Sequence, residues 1–206
     1  MDMREDKANI HERFLAIAPS ISPALTMAIE RNGPVDLVAD QDVSFAHRLC
    51  RAVAGQQLSL RAAETIWGRV VASAPEGEDL VEYFGRVESG VLRGCGLSGA
   101  KVRAVGAIAA VTAQGQLDTT ELCQLSHAER TERLTAIWGV GQWTADMMGI
   151  FYFGEPDIWP DGDVTARKTL EKLTSKRRKT VRTAKLFSPY RSYLALHMWQ
   201  WVDATP

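Results

Sequence analysis

Apolar residues return every three or four positions through nearly every segment of these 206 residues, and runs of alternating β-branched residues are missing. A repeat near 3.6 gathers side chains on one face of an α-helix, whereas a half-buried strand needs a period of two. The chain is therefore expected to be all-α. Helices are predicted over residues 5–17, 22–32, 43–55, 59–74, 77–84, 86–93, 99–113, 126–137, 142–153, 163–173, 178–186 and 190–203. Gly33-Pro34, Gly94-Cys-Gly96, Gly139-Val-Gly141, Gly154-Glu-Pro156 and Pro160-Asp-Gly162 break the pattern between them. No repeat or low-complexity tract suggests a linker, and with 46% apolar residues the chain can form one substantial core, or two lobes sharing one.

Several function classes recede on composition. The longest apolar stretches, such as Val105 to Val111, fall far short of a membrane span, and the amino terminus is charged from its second residue. A soluble, intracellular protein with no membrane partner is expected. Cys50, Cys95 and Cys123 are odd in number and widely spaced, which suggests neither a disulfide framework nor a metal site. His11, His47, His127 and His197 are equally dispersed. The net charge of −1 conceals an asymmetry, since residues 1–166 carry 14 Lys and Arg against 23 Asp and Glu while residues 167–206 carry 10 against 2. A basic end that includes Lys176-Arg-Arg-Lys179 could line a polyanion groove, and a solvated helix face would account for it equally well.

Four stretches could carry chemistry. In the first, Gly139-Val-Gly141 turns between a helix closing on Leu134 and Ile137 and one continuing through Ala145, Met148 and Ile150. Glycines there allow positive φ and remove side chains that would hold another backbone away, while the free amides opening the second helix favour a phosphate. A tight turn between helices is the plain alternative. In the second, Asp163 directly precedes a helical run, so it suits an N-cap; a carboxylate in that position also suits a developing cation, with Asp161 the competing acid. The third, Ala52-Val-Ala-Gly-Gln-Gln-Leu-Ser59, places two amides and a leucine at a helix junction, where they could enter a base stack. The fourth, Ser188 to Trp199, is an aromatic-rich helix entered through Pro189, which is ordinarily core.

In this order, Gly55-Gln-Gln-Leu-Ser59, Gly96-Leu-Ser-Gly-Ala-Lys101, Gly139-Val-Gly-Gln-Trp-Thr-Ala145, Asp163 and Pro189-Tyr-Arg-Ser-Tyr193 leading to Trp199 resemble the helix-hairpin-helix DNA glycosylase superfamily, in its 3-methyladenine DNA glycosylase II branch. The resemblance spans about residues 40–203. It implies a two-lobed helical domain with the active-site cleft between a lobe of about residues 45–154 and one of about 1–44 plus 155–206. It also implies that Gly139, Val140, Gly141, Gln142 and Thr144 grip the DNA backbone, that Gln57 with Leu58 beside it fills the gap left by a flipped nucleotide, and that Asp163 is catalytic. Trp143 and Trp199 would line the base pocket with Met147, where some relatives have an aromatic residue. The carbonyls of Thr135, Ile137 and Val140 would hold a monovalent cation, Na⁺ or K⁺, that does no bond chemistry; no other cofactor is required.

Two departures select the expected subtype. Lyase-competent relatives carry a nucleophilic lysine two residues after the second hairpin glycine, where this chain has Trp143, so no Schiff-base route is expected there. Iron–sulfur relatives carry four cysteines near the carboxyl terminus, and none follows Cys123. The resemblance thus implies a monofunctional glycosylase acting on duplex DNA that contains alkylated bases, a monomer of the cytoplasm, or of the nucleus in a eukaryote. No room is seen for the β-rich amino-terminal domain of some members, and Gly162 stands where many relatives have a second acid. The substrate range would be 3-methyladenine and 7-methylguanine, with hypoxanthine or 1-methyladenine open. A non-catalytic DNA-binding module and a monofunctional enzyme for deaminated or oxidised bases are the rivals.

Overall fold

The computed structural model describes residues 6–175 and 177–204. Glu5, where the first helix was predicted to begin, and Lys176 of the basic run lie outside the described residues. Among the described residues there are thirteen α-helices and no strand, as the periodicity requires. No helix is long and apolar enough to cross a membrane.

The chain divides into two compact units, one made of residues through Ala39 together with those from Gly149 onward, the other of Asp40–Met148. The first contains α1 (Lys7–Ile17), α2 (Pro23–Asn32), α11 (Val164–Leu173), α12 (Thr180–Lys185) and α13 (Arg191–Asp203). Its core is Ile10, Phe14, Leu25, Ile29, Leu170, Phe187, Leu194 and Met198, with the rings of Phe14 and Phe187 4.7 Å apart. α13 packs on α11 and α2.

The second unit contains α3 (Phe45–Gly55), α4 (Leu60–Ala72), α5 (Leu80–Phe84), α6 (Ser89–Gly94), α7 (Gly99–Ala113), α8 (Thr119–Gln124) and α9 (His127–Thr135). α3 lies against α4, α5 and α7, burying Leu49, Val53, Val70, Val105 and Ile108. α10 (Gln142–Phe151) starts in this unit and ends in the other.

Most predicted helices are trimmed by one to three residues at an end, where caps stop them. The helix predicted from 77 begins at Leu80, because Gly77 turns the chain at φ +79° and Asp79 then accepts from the amides of Val81 and Glu82. One helix was not predicted. α8 has a single fully buried residue, Leu122, and so shows no apolar stripe; it is held instead by Arg130 of α9, whose guanidinium donates to the carbonyls of Leu122 and Leu125. Those bonds bring donors to carbonyls at the end of the short helix, where Leu122 O otherwise accepts from Leu125 N.

Candidate functional site

In the second unit the hairpin is fastened at both of its helices. Ser126 and Glu129 form a reciprocal capping box at the start of α9, and the turn closes with bonds from Ile137 N to Leu134 O and from Val140 N to Ile137 O. Gly139 and Gly141 have different reasons for lacking a side chain. Gly139 takes φ +88°, and a Cβ there would lie 2.5 Å from Cβ of Ala104 on α7. Its bareness serves internal packing, which corrects the expectation that both glycines are bare for the DNA. Around Gly141 a Cβ would meet nothing within 4 Å, so the outward opening is there.

The amides of Gln142, Trp143 and Thr144 stand in the first turn of α10. Thr144 can offer only this amide. The residue is 1% exposed and its hydroxyl accepts from Gln56 Nε2 at 2.9 Å. Val140 is buried as well and contributes backbone alone. The Gln142 side chain turns back to Asp146 Oδ1 at 2.8 Å, and His127 Nε2 lies 3.0 Å from the same oxygen, joining the start of α9 to α10. For the implied monovalent cation, the three carbonyls are neutral oxygens, one at the last residue of α9 and two in the turn after it, a donor set that fits such an ion. Ile137 O already accepts one hydrogen bond and retains a lone pair.

Gln57 and Leu58 lie in a turn between α3 and α4. Gln56 has φ −50° and ψ 135°, Gln57 has φ +58°, and Leu58 N donates to Gly55 O at 3.2 Å, the pattern of a type II β-turn. That turn ordinarily takes glycine at the third position. Gln57 is the one non-glycine with positive φ among the described residues, at a cost of roughly 1–2 kcal/mol. Both Gln57 and Leu58 are exposed. Gln56, one of the two amides expected to be able to enter a base stack, instead faces inward: Nε2 reaches Gly139 O at 3.3 Å as well as Thr144.

In the first unit, Asp163 sits at the N-cap of α11. Its Oδ1 accepts from Ala166 N at 2.8 Å and from the indole Nε1 of Trp199 at 3.0 Å. Trp199 thus orients the carboxylate, a role that its placement as a pocket wall did not include. Its ring lies 5.6 Å from that of Phe151. Phe151 was also missed, though Trp143, Met147 and Phe151 fall at i, i+4 and i+8 on one face of α10, a spacing visible in the sequence. Trp143 and Met147 are half-buried. Asp161 is engaged elsewhere, accepting from Trp159 Nε1 at 3.2 Å and Thr180 Oγ1 at 3.0 Å.

The segment leading to Asp163 is strapped to α13. Ser192 Oγ donates to Glu155 O at 2.6 Å and accepts from Ile158 N at 3.0 Å. Arg191 Nε and Nη2 donate to the two carboxylate oxygens of Asp157 at 2.7 and 3.1 Å, and Ser188 adds a third bond. Burial would raise the Asp157 carboxyl, but the bonds from Arg191 and Ser188 prevail and hold it below the ordinary range. The Pro189-to-Tyr193 motif therefore works largely as the seat for the loop that presents Asp163.

No family model matches the chain. The DNA-3-methyladenine glycosylase 1 of Schizosaccharomyces pombe is 32% identical over 160 residues, covering 74% of this chain and 70% of that one. A solved structure of 3-methyladenine DNA glycosylase from the same yeast in complex with abasic DNA aligns with a TM-score of 0.82 over 96% of this chain and 98% of the other; at 24% identity this shows a shared fold. The DNA-3-methyladenine glycosidase of Bacillus halodurans aligns with a TM-score of 0.75 and 28% identity, over 95% of this chain and 89% of that one. A glycine-turned hairpin, a helix-capping carboxylate bonded by a tryptophan N–H, and these likenesses agree: the chain belongs to the helix-hairpin-helix DNA glycosylase superfamily, in its 3-methyladenine DNA glycosylase branch.

Proposed function

We propose that this protein excises alkylated purines, 3-methyladenine first and 7-methylguanine with it, from duplex DNA and leaves an abasic site without cutting the strand. Asp163 on Trp199 is the observation that carries this reading, because a module that only binds DNA has no use for a carboxylate oriented by an indole N–H. Alkylation at N3 or N7 makes the base cationic, so it departs without being protonated. As the C1′–N bond breaks, its electron pair neutralises the base and the sugar becomes oxocarbenium-like; water then adds at C1′ and loses a proton. The Asp163 carboxylate supplies the opposing charge in that transition state, already oriented by Ala166 N–H and Trp199 N–H. Trp143 and Met147 on α10 supply stacking surface for the flipped cationic ring, at roughly 0.5–2 kcal/mol for each aromatic face.

The hairpin holds the duplex through the amides of Gln142, Trp143 and Thr144, with Gly141 leaving space for a phosphate. A monovalent cation, when bound by the carbonyls of Thr135, Ile137 and Val140, would add positive charge toward that phosphate. Trp143 has no amine to form a Schiff base, which supports a hydrolytic route without lyase action.

The test is incubation of purified protein with methylated duplex DNA. Free 3-methyladenine should appear while the strand stays intact until alkali is added. Strand cleavage without alkali would establish a lyase, and a duplex that is bound but never depurinated would leave only a binding module.

A further inference from the structure

We propose that Gln56 and Lys101 are positioning residues that hold the gap-filling Gln57 in its left-handed conformation and tie it to the hairpin. This rests on the glycosylase reading above. A type II turn with glutamine at its third position is strained, and removing the strain would require only a glycine. Two constraints oppose its relaxation. Lys101 Nζ, from the first turn of α7, donates to Ala54 O at 2.9 Å and Gln56 O at 2.8 Å, which fixes a carbonyl near the end of α3 and the central peptide of the turn. The Gln56 side chain crosses to Gly139 O and Thr144 Oγ1 on opposite sides of the hairpin turn.

The lysine has become costly to charge in this place, since burial lowers its pKa, so its two carbonyl bonds are its compensation. One peptide is therefore held from two directions, by α7 on its oxygen and by the hairpin through its side chain. The backbone of the adjacent Gln57, whose side chain is exposed, is thereby set before any DNA arrives. A side chain launched from a backbone already fixed loses less freedom when it enters the stack in place of a nucleotide, which favours the extruded state over the stacked one. Because the same bonds reach Thr144, whose amide opens α10, hairpin seating and wedge placement are mechanically joined.

The test uses the full chain and three duplexes of one sequence: undamaged, carrying a stable abasic analogue, and methylated. Gln56→Ala and Gln57→Ala should each lose about tenfold of the preference for abasic over undamaged duplex, with a similar fall in kcat for base release and KM within about twofold. The double variant should be no worse than Gln57→Ala, because Gln56 acts through its neighbour. Lys101→Met should resemble Gln56→Ala, and Lys101→Arg, which keeps a donor, should recover most of the loss. Additive losses in the double variant, or an undiminished abasic preference in Gln56→Ala, would overturn the proposal; so would a uniform weakening on all duplexes that follows the melting temperature. If Lys101→Met does not fold, the Gln56–Gln57 cycle decides alone. If the wild type releases no base, the glycosylase reading falls while the abasic-binding cycle still decides on the clamp.

Discussion

One oxygen of Asp163 is shared between α11 and Trp199, so the same bonds that cap a helix also aim the carboxylate. Asp163→Asn keeps a capping oxygen and removes the charge. Turnover on methylated duplex should fall on the order of 100-fold or more, as loss of a transition-state charge partner does, while affinity for undamaged duplex holds. Trp199→Phe separates the two contributions of the indole. The ring against Phe151 is kept and the N–H is lost, so kcat should drop about tenfold with KM nearly unchanged, and Asp161→Asn, bonded to Trp159 and Thr180 instead, should leave turnover intact. Gln57→Gly should behave in the opposite sense from most losses of side chain. Relief of the left-handed strain should stabilise the fold by about 1 kcal/mol in a denaturation titration, while base release declines with the lost wedge. The cap position of Asp163 and the helix junction that holds Gln57 were legible in the sequence, because local spacing marks them. The bonds around them, from Trp199 N–H to Asp163 and from Gln56 to Thr144, join residues 36 and 88 positions apart, which no local spacing reveals.

At the scale of the helical hairpin, the two glycines answer to different neighbours. Gly139→Ala would need φ +88° and a methyl 2.5 Å from Ala104, so strain and overpacking together should cost about 2–4 kcal/mol, read as a lowered melting temperature. Gly141→Ala meets open space and should melt like the wild type, yet bind undamaged duplex more weakly because the methyl stands where a phosphate would approach. Equal melting losses for both would return Gly141 to an internal role. Sequence pattern placed the hairpin and nearly every helix, because apolar spacing and turn residues are local signals. It could not divide the glycines, since Ala104 lies on another helix, and it passed over α8, whose hold comes from buried Arg130 rather than from an apolar stripe. The Gly96-to-Lys101 motif shows the same limit. Ser98 as a cap for α7 follows from sequence, whereas the reach of Lys101 to the end of α3 required the fold.

Across the whole molecule, the response to acid should centre on one buried histidine. His197 on α13 is 1% exposed, and its Nδ1 lies 3.3 Å from the Asn32 amide nitrogen, which also donates to His197 O at 2.8 Å. An amide donor opposite Nδ1 asks that nitrogen to accept, which suits neutral imidazole. Burial, and then the charge of nearby His11, push its pKa down to about 3. In the unfolded chain the group returns to about 6.5, so that state takes up the proton first. Stability is therefore full above about pH 6.5 and is lost as pH falls from there toward 3, with a slope approaching 1.4 kcal/mol per pH unit from this residue alone. Denaturant titrations between pH 7 and pH 4 should show that decline for the wild type. His197→Gln keeps polar partners for Asn32 but cannot take up the proton, so it should start less stable and decline less steeply across the same window. Parallel curves for the two proteins would remove His197 as the source of the acid response.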